Sequence, residues 1–265
     1  MTTAMPPAGG TALAATLKGL GLTSLAKVVP SVLETARHEQ WPYETFLAQA
    51  VGAEVVGRAE RALARRVRAA HLPATKSLES FDFTFQPSLS ERLIQELGTL
   101  GFLQTATNIV LLGPPGVGKT HVALALTART LEAGYSARFT TLRQLADEVE
   151  TTSWRQQRRR YLTPRLLVID EVGYLRLTPG QAQQLFDLVT ARYEQAPMIL
   201  TSNRSFAEWG TLLGDDVLAT ALLDRLLHHA EVIPITGPSY RMKDRRLPGA
   251  PDASGPAETR SGKEG

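Results

Sequence analysis

The sequence predicts an α/β protein. A phosphate-loop domain with αβα layers around a parallel sheet should follow a small all-helical domain. Three observations carry this. First, Gly113-Pro114-Pro115-Gly116-Val117-Gly118-Lys119-Thr120 fits G-x-x-x-x-G-K-[ST] at every fixed position. It lies between an apolar β-branched run, Ile109-Val110-Leu111-Leu112, and a helical stretch opening at His121. Strand, glycine loop and helix in that order separate a phosphate loop from a chance match. Second, strand-like and helical stretches alternate from Asn108 onward, and repeated β–α units build a parallel sheet covered on both faces. Third, the apolar run Leu166-Leu167-Val168-Ile169 ends in Asp170-Glu171, 51 residues beyond Lys119. A buried strand ending there delivers carboxylates beside the phosphates.

Composition sets the outer bounds. The chain has 265 residues, 21% of them charged, with a net charge of +3 and no cysteine. Disulfides, thiol nucleophiles and thiolate metal sites are excluded, and the chain suits a reducing cytoplasm. No apolar run approaches the roughly 18 residues of a membrane helix, so no membrane partner is expected. The start lacks the charged and apolar regions of a secretory signal.

In order, residues 1–10 read as disordered, 11–72 as a helical DNA-binding domain and 73–89 as a linker or strap. Residues 90–246 read as the ATPase domain and 247–265 as a disordered tail. Pro30 and Pro42 are each expected to mark a helix start. The aromatics of Trp41-Pro42-Tyr43-Glu44-Thr45-Phe46-Leu47 should pack inward. A helix from Glu54 to Ala70 carries Arg58, Arg61, Arg65 and Arg68 on one stripe. Val56, Ala59, Leu63, Val67 and Ala70 lie on the other. Arg66 joins the arginines as a DNA-binding candidate. Guanidinium forks suit phosphate, and only Glu60 lies among these arginines, so partners within the helix are scarce. The alternative is a solvated face.

Phe81-Asp82-Phe83-Thr84-Phe85 alternates aromatic and polar, as a strand or an extended strap would. Ser90 should cap a helix to Leu97. Ala137 to Thr141 reads as a strand, and Leu142 to about Glu150 as a helix. Trp154-Arg155-Gln156-Gln157-Arg158-Arg159-Arg160-Tyr161 holds four arginines between two aromatics. It suits either a nucleic-acid backbone with stacked bases or a solvated helix end over the sheet edge.

The chemistry follows from the loop and the acidic strand. Backbone N–H groups and a helix N-terminus converge on a polyphosphate. Lys119 reaches the β- and γ-phosphates, and Thr120 with Asp170 holds Mg²⁺. Glu171 is placed to orient or deprotonate water. Met198 to Asn203 reads as a buried strand with a polar tip, and between the nucleotide strands it would bring Asn203 near the γ-phosphate. Pro234 suggests that the last strand is an edge. His228 and His229, adjacent on a helix, should point about 100° apart and form no metal pair. There is no G-x-S-x-G elbow.

Together these landmarks resemble the IstB-like AAA+ ATPases, helpers of insertion-sequence transposases and relatives of the helicase loader DnaC. The resemblance spans roughly Leu17 to Lys243. It rests on Phe81 to Pro87, Gly113 to His121, Ile169 to Leu175, Thr201 to Arg204, Glu208-Trp209-Gly210, Leu222 to His229 and Ser239-Tyr240-Arg241. It implies that Asn203 is a first sensor, Arg225 an arginine finger entering a neighbour's site, and Arg241 a second sensor. His121 joins the ATP-binding stretch. It also implies a homo-oligomer on duplex DNA that recruits a cognate transposase, with ATP and Mg²⁺ as cofactors. The alternatives are a DnaC-like helicase loader and an ATP-gated DNA-binding protein with little turnover. Only 37 residues lie between Asn203 and Arg241, too few for a separate C-terminal lid.

Overall fold

The computed structural model describes residues 10–151 and 154–243. The expected disordered ends therefore lie outside the described residues, except Gly10, which opens the first helix. That helix, α1 (Gly10–Gly19), leads into α2 (Thr23–His38) and α3 (Tyr43–Ala70), which pack as a short helical array.

Pro30 does not start a helix but sits inside α2. A proline there loses one backbone bond and crowds the carbonyl four residues before it. The exposed Pro30 side is tolerated because Ala26 and Val29 are buried on the other side, where α2 meets α3. Nor does a separate helix begin at Glu54. One helix runs 28 residues from Tyr43, and Tyr43 points outward, 86% exposed, rather than into a core.

Glu54 explains how α2 and α3 hold together. It is buried on α3 and accepts hydrogen bonds from Ser24 N (2.8 Å) and Leu25 N (3.0 Å). The N-terminus of α2 has no side-chain cap of its own, so a carboxylate from the next helix meets its unsatisfied N–H groups. Those bonds, with Arg61, hold the Glu54 carboxyl below its ordinary value of 4.5.

After a turn-rich segment come α4 (Glu91–Gly98) and α5 (Gly101–Thr105). Ser90 caps α4 by accepting from Leu93 N. The sheet unit then alternates: β1 (Asn108–Leu112), α6 (Lys119–Glu132), β2 (Ala137–Thr141), α7 (Leu142–Val149), α8 (Trp154–Gln157), α9 (Arg159–Leu162) and β3 (Leu166–Val172). It continues through α10 (Pro179–Arg192), β4 (Met198–Ser202), α11 (Trp209–Leu213), α12 (Asp216–Leu227) and β5 (Ala230–Pro234). All five strands are parallel, in the order β2-β3-β4-β1-β5, with Pro234 on the edge strand. β4 indeed separates the phosphate-loop strand from the acidic strand.

The three central strands, β3, β4 and β1, are mostly apolar runs because both faces are covered. On one side Ile109, Leu111, Val168 and Ile199 pack with α4, α5 and α6. On the other Val110, Leu167, Ile169 and Leu200 pack with α7 to α12. The residues from Leu78 to Leu89 form turns, not a strand. Asp82 Oδ1 accepts from Phe85 N (2.9 Å), which folds the alternating stretch onto itself.

Candidate nucleotide site

The C-terminal ends of β1, β3 and β4 meet at one point. Gly113 N donates to Ser202 O, pinning the start of the phosphate loop to β4. Gly118 has φ +102° and lies under the Phe81 ring, where a Cβ would come within 2.6 Å of Phe81. Only glycine fits that conformation and approach. The strap therefore rests on the loop, and Gln86 Nε2 fastens it by donating to Val117 O (3.1 Å). From the other side Tyr240 N donates to Gly116 O, and Lys243 Nζ reaches Asp82 Oδ2 at 2.7 Å. Strap, loop and C-terminal segment enclose a cavity of about 420 Å³ lined by Phe81, Asp82, Phe85, Lys119, His121 and Arg241. That volume suits a nucleotide-sized ligand.

Lys119 is buried and donates to Gly113 O and Pro114 O, both at 2.7 Å. Burial lowers the affinity of its ammonium for the proton, Asp170 opposes that shift, and Arg241 adds to it. An incoming polyphosphate supplies the anion that this buried cation lacks. Thr120 Oγ1 donates to Asp170 Oδ1 and Oδ2 at 3.0 and 3.1 Å. A hydroxyl and a carboxylate in contact are the hard oxygen donors that Mg²⁺ takes.

Glu171 leaves the regular strand. The register of β3 on β4 shifts between Ile169 and Val172, and Glu171 adopts φ +62°. A bulge re-aims a side chain, and a non-glycine residue in this region costs on the order of 1–3 kcal/mol. The carboxylate is left exposed at the strand tip. Thr201 holds both acids: its Oγ1 donates to Asp170 Oδ1 and accepts from Glu171 N (3.0 Å). Sequence reasoning missed Thr201, although a buried hydroxyl one strand from an acid was a usable signal. It also missed Gln86 and Tyr240, whose contacts come from chain folding rather than from a motif. Asn203 follows β4, and its Oδ1 is buried without a hydrogen-bond partner in this protein, against Gly173. An orphaned acceptor at the end of β4 suits a water or a ligand proton.

Arg241 lines the same cavity as Lys119. Arg225 lines neither that cavity nor the second one at Asp170 and Glu171. It stacks over Phe186 (4.8 Å), donates to Ala221 O, and among the described residues makes no ion pair with Asp224.

The expected arginine surface divides. Arg61 Nη2 lies 2.8 Å and Arg58 Nε 3.6 Å from Glu54 Oε1, and Arg61 also donates to Ser24 Oγ. The helix thus supplies one neutralising acid besides Glu60, seven residues before Arg61, which takes up part of the stripe. Arg66 Nε donates to Leu131 O. Arg65 and Arg68 are exposed. The anticipated docking stripe also fails in part, because Val56 is 59% exposed and Val67 38%, while Ala70 is buried. The helix docks by two different faces, with Gly57 near α2 and Ala70 in the sheet unit's core.

In the second basic segment Arg155, Arg158, Arg159 and Arg160 are exposed, but Trp154 and Tyr161 are buried, Tyr161 donating to Glu148 Oε2. Those rings anchor the segment and are not free to stack on bases. Arg160 lines a cavity of about 580 Å³ together with His71, Arg138, Asp170 and Glu171.

A family model described as IstB-like ATP binding protein matches residues 15–248. The chain belongs to the IstB-like family. It is 43% identical over 237 residues to the IS21 insertion-sequence ATP-binding protein of Pseudomonas aeruginosa, covering 88% of this chain and 89% of that one. It is 41% identical over 232 residues to the IS5376 counterpart of Geobacillus stearothermophilus, covering 86% and 92%. Among solved structures, DnaI matches with a TM-score of 0.51 at 20% identity over 62% of this chain and 89% of that one. AMPPCP-bound DnaA from Aquifex aeolicus matches with a TM-score of 0.51 at 23% identity, covering 62% and 51%. The fold of the sheet unit is accordingly the AAA+ type.

Proposed function

We propose that the protein is an ATP-hydrolysing helper of DNA transposition that assembles as an oligomer on duplex DNA and recruits or stimulates a transposase. The observation that carries the reading is the junction of the phosphate loop with the acidic strand: Thr120 touches Asp170, and Thr201 of β4 bonds both Asp170 and the backbone of Glu171.

The loop N–H groups and Lys119 bind the phosphates, and Lys119 exchanges its two carbonyl partners for phosphate oxygens. Thr120 and Asp170 hold Mg²⁺, which when bound supplies positive charge at the transferring phosphoryl group. Glu171 accepts a proton from the attacking water while Asn203 orients it, and Thr201 keeps both acids in place. Arg241 adds charge from within the subunit. Arg225 does not line its own nucleotide cavity, so in this reading it serves the next subunit. Activity then depends on assembly, and DNA can switch it on. Exposed Arg65, Arg68 and Arg155 to Arg160 contact the DNA backbone.

The test is phosphate release with and without duplex DNA. Lys119→Ala loses ATP binding, and Arg225→Ala loses about 10³–10⁵ in DNA-stimulated rate. Mixing the two variants pairs an intact loop with an intact arginine, and activity returns. No recovery at any ratio, with co-assembly proven by cross-linking, would remove Arg225 from a role in trans.

A further inference from the structure

Three ligand groups converge away from the nucleotide cavity. One oxygen, one nitrogen and another nitrogen from Glu194, His228 and His229 all lie within 4.8 Å of one another. His228 Nδ1 is 3.8 Å and His229 Nε2 3.6 Å from the same Glu194 Oε1. The expected divergence of the two histidines does not occur. The helix ends at Leu227, so the pair lies in the turn entering β5, and the rings stack with centroids 4.3 Å apart. We propose that Glu194, His228 and His229 form a binding site for a divalent transition metal of the Zn²⁺ class.

Three observations support the ligand chemistry. Two imidazoles and a carboxylate are the borderline nitrogen and oxygen donors that Zn²⁺ prefers, and three protein ligands leave a position open for water. Among the described residues, the ion pairs of Glu194 are to these two histidines. The two halves of the site are also held at fixed spacing from beneath. Buried Asn108 donates through Nδ2 to Leu226 O (2.9 Å) and accepts from Met198 N at Oδ1 (2.9 Å). Its own N–H donates to His229 O (2.8 Å). One side chain thus ties the end of α12 to the start of β4, just past the turn that carries Glu194. Preset spacing lowers the ordering cost of binding an ion.

Location gives the site a consequence. His228 and His229 follow the helix that carries Arg225, three and four residues beyond it. A bound ion would cross-link the end of α12 to the turn after α10 and so fix the segment that presents Arg225.

The chain suits a clean test, having no cysteine and five histidines in all. Untagged, chelator-stripped full-length protein is titrated with Zn²⁺ by calorimetry, and with Co²⁺ by visible absorption. One ion per chain is expected, with the intense visible bands of four-coordinate cobalt. His229→Ala and Glu194→Gln, checked for native circular dichroism, should each weaken binding by at least the roughly 10–100-fold that even an outer-shell change costs. His38→Ala should leave it unchanged. Tyr193 bonds His228 Nδ1 through its hydroxyl, so Tyr193→Phe, which removes a competitor, should bind at least as tightly. No stoichiometric binding at micromolar Zn²⁺ would overturn the proposal. So would affinity equal to wild type in both ligand variants, or weakened binding in Tyr193→Phe.

Discussion

The tip of the sheet and the face of α3 were read from the same sequence by the same kind of spacing argument, and they behave differently. At the tip, spacing constrains the backbone itself. The loop must follow a strand, the helix must follow the loop, and the acids must end a second strand two positions away in the sheet. Little freedom remains once those elements form. On α3, spacing says only which side chains share a face. It does not say what the face meets, and there Glu54 takes up Arg61 and pairs with Arg58, itself exposed, while Arg65 and Arg68 stay exposed. Periodicity is therefore a strong guide where the backbone carries function and a weak one where long side chains choose among partners.

The largest effect that would sharpen this contrast belongs to the tip. Glu171→Gln should retain ATP binding and lower the hydrolysis rate by about 10²–10⁴, the range of a positioned acid–base group. Filter binding with labelled ATP beside a turnover assay reads both. Unchanged turnover would return Glu171 to a merely structural place at the bulge.

A middle-sized effect separates the arginines of α3 from one another. Arg65→Ala with Arg68→Ala should reduce the salt slope of duplex binding by about one unit per lost phosphate contact. Arg58→Ala with Arg61→Ala should change that slope little and instead loosen α2 on α3. Equal slopes for the two pairs would dissolve the distinction drawn from Glu54.

The smallest effect concerns that carboxylate itself. Its proton affinity is depressed in the fold, so its contribution to stability is complete above its ordinary value of 4.5 and fades as the pH falls below it. Melting curves of Glu54→Gln and the parent should therefore differ most at about pH 7 and converge toward about pH 3. A constant difference across that range would mean that Glu54 acts through packing rather than charge.

Much of the fold was legible because strands buried on both faces are written as unbroken apolar runs, as in Leu166 to Ile169. The edge position of β5 was legible because Pro234 cannot donate to a ladder. What escaped was decided by contacts distant in sequence. Pro30 looked like a helix start, yet packing of Ala26 and Val29 carries the helix through it. Phe81 to Phe85 alternated like a strand, yet Asp82 closed a turn. Trp154 and Tyr161 looked available to bases, yet both are core residues. Thr201 lies in a stretch that carries the family resemblance, yet its bonds to both acids depend on β4 lying beside β3.

The unbroken length of α3 has a mechanical meaning. Its 28 residues make a rod of about 42 Å. One end is set into the sheet unit through Ala70 and the Arg66–Leu131 bond, beside His71, which shares a cavity with Asp170 and Glu171. The other end carries α2. Such a rod is a lever with its fulcrum next to the acids. A tilt of roughly 5° at the fulcrum would sweep the far end through about 4 Å, the amplification that a rod of this length gives any small rotation at its base.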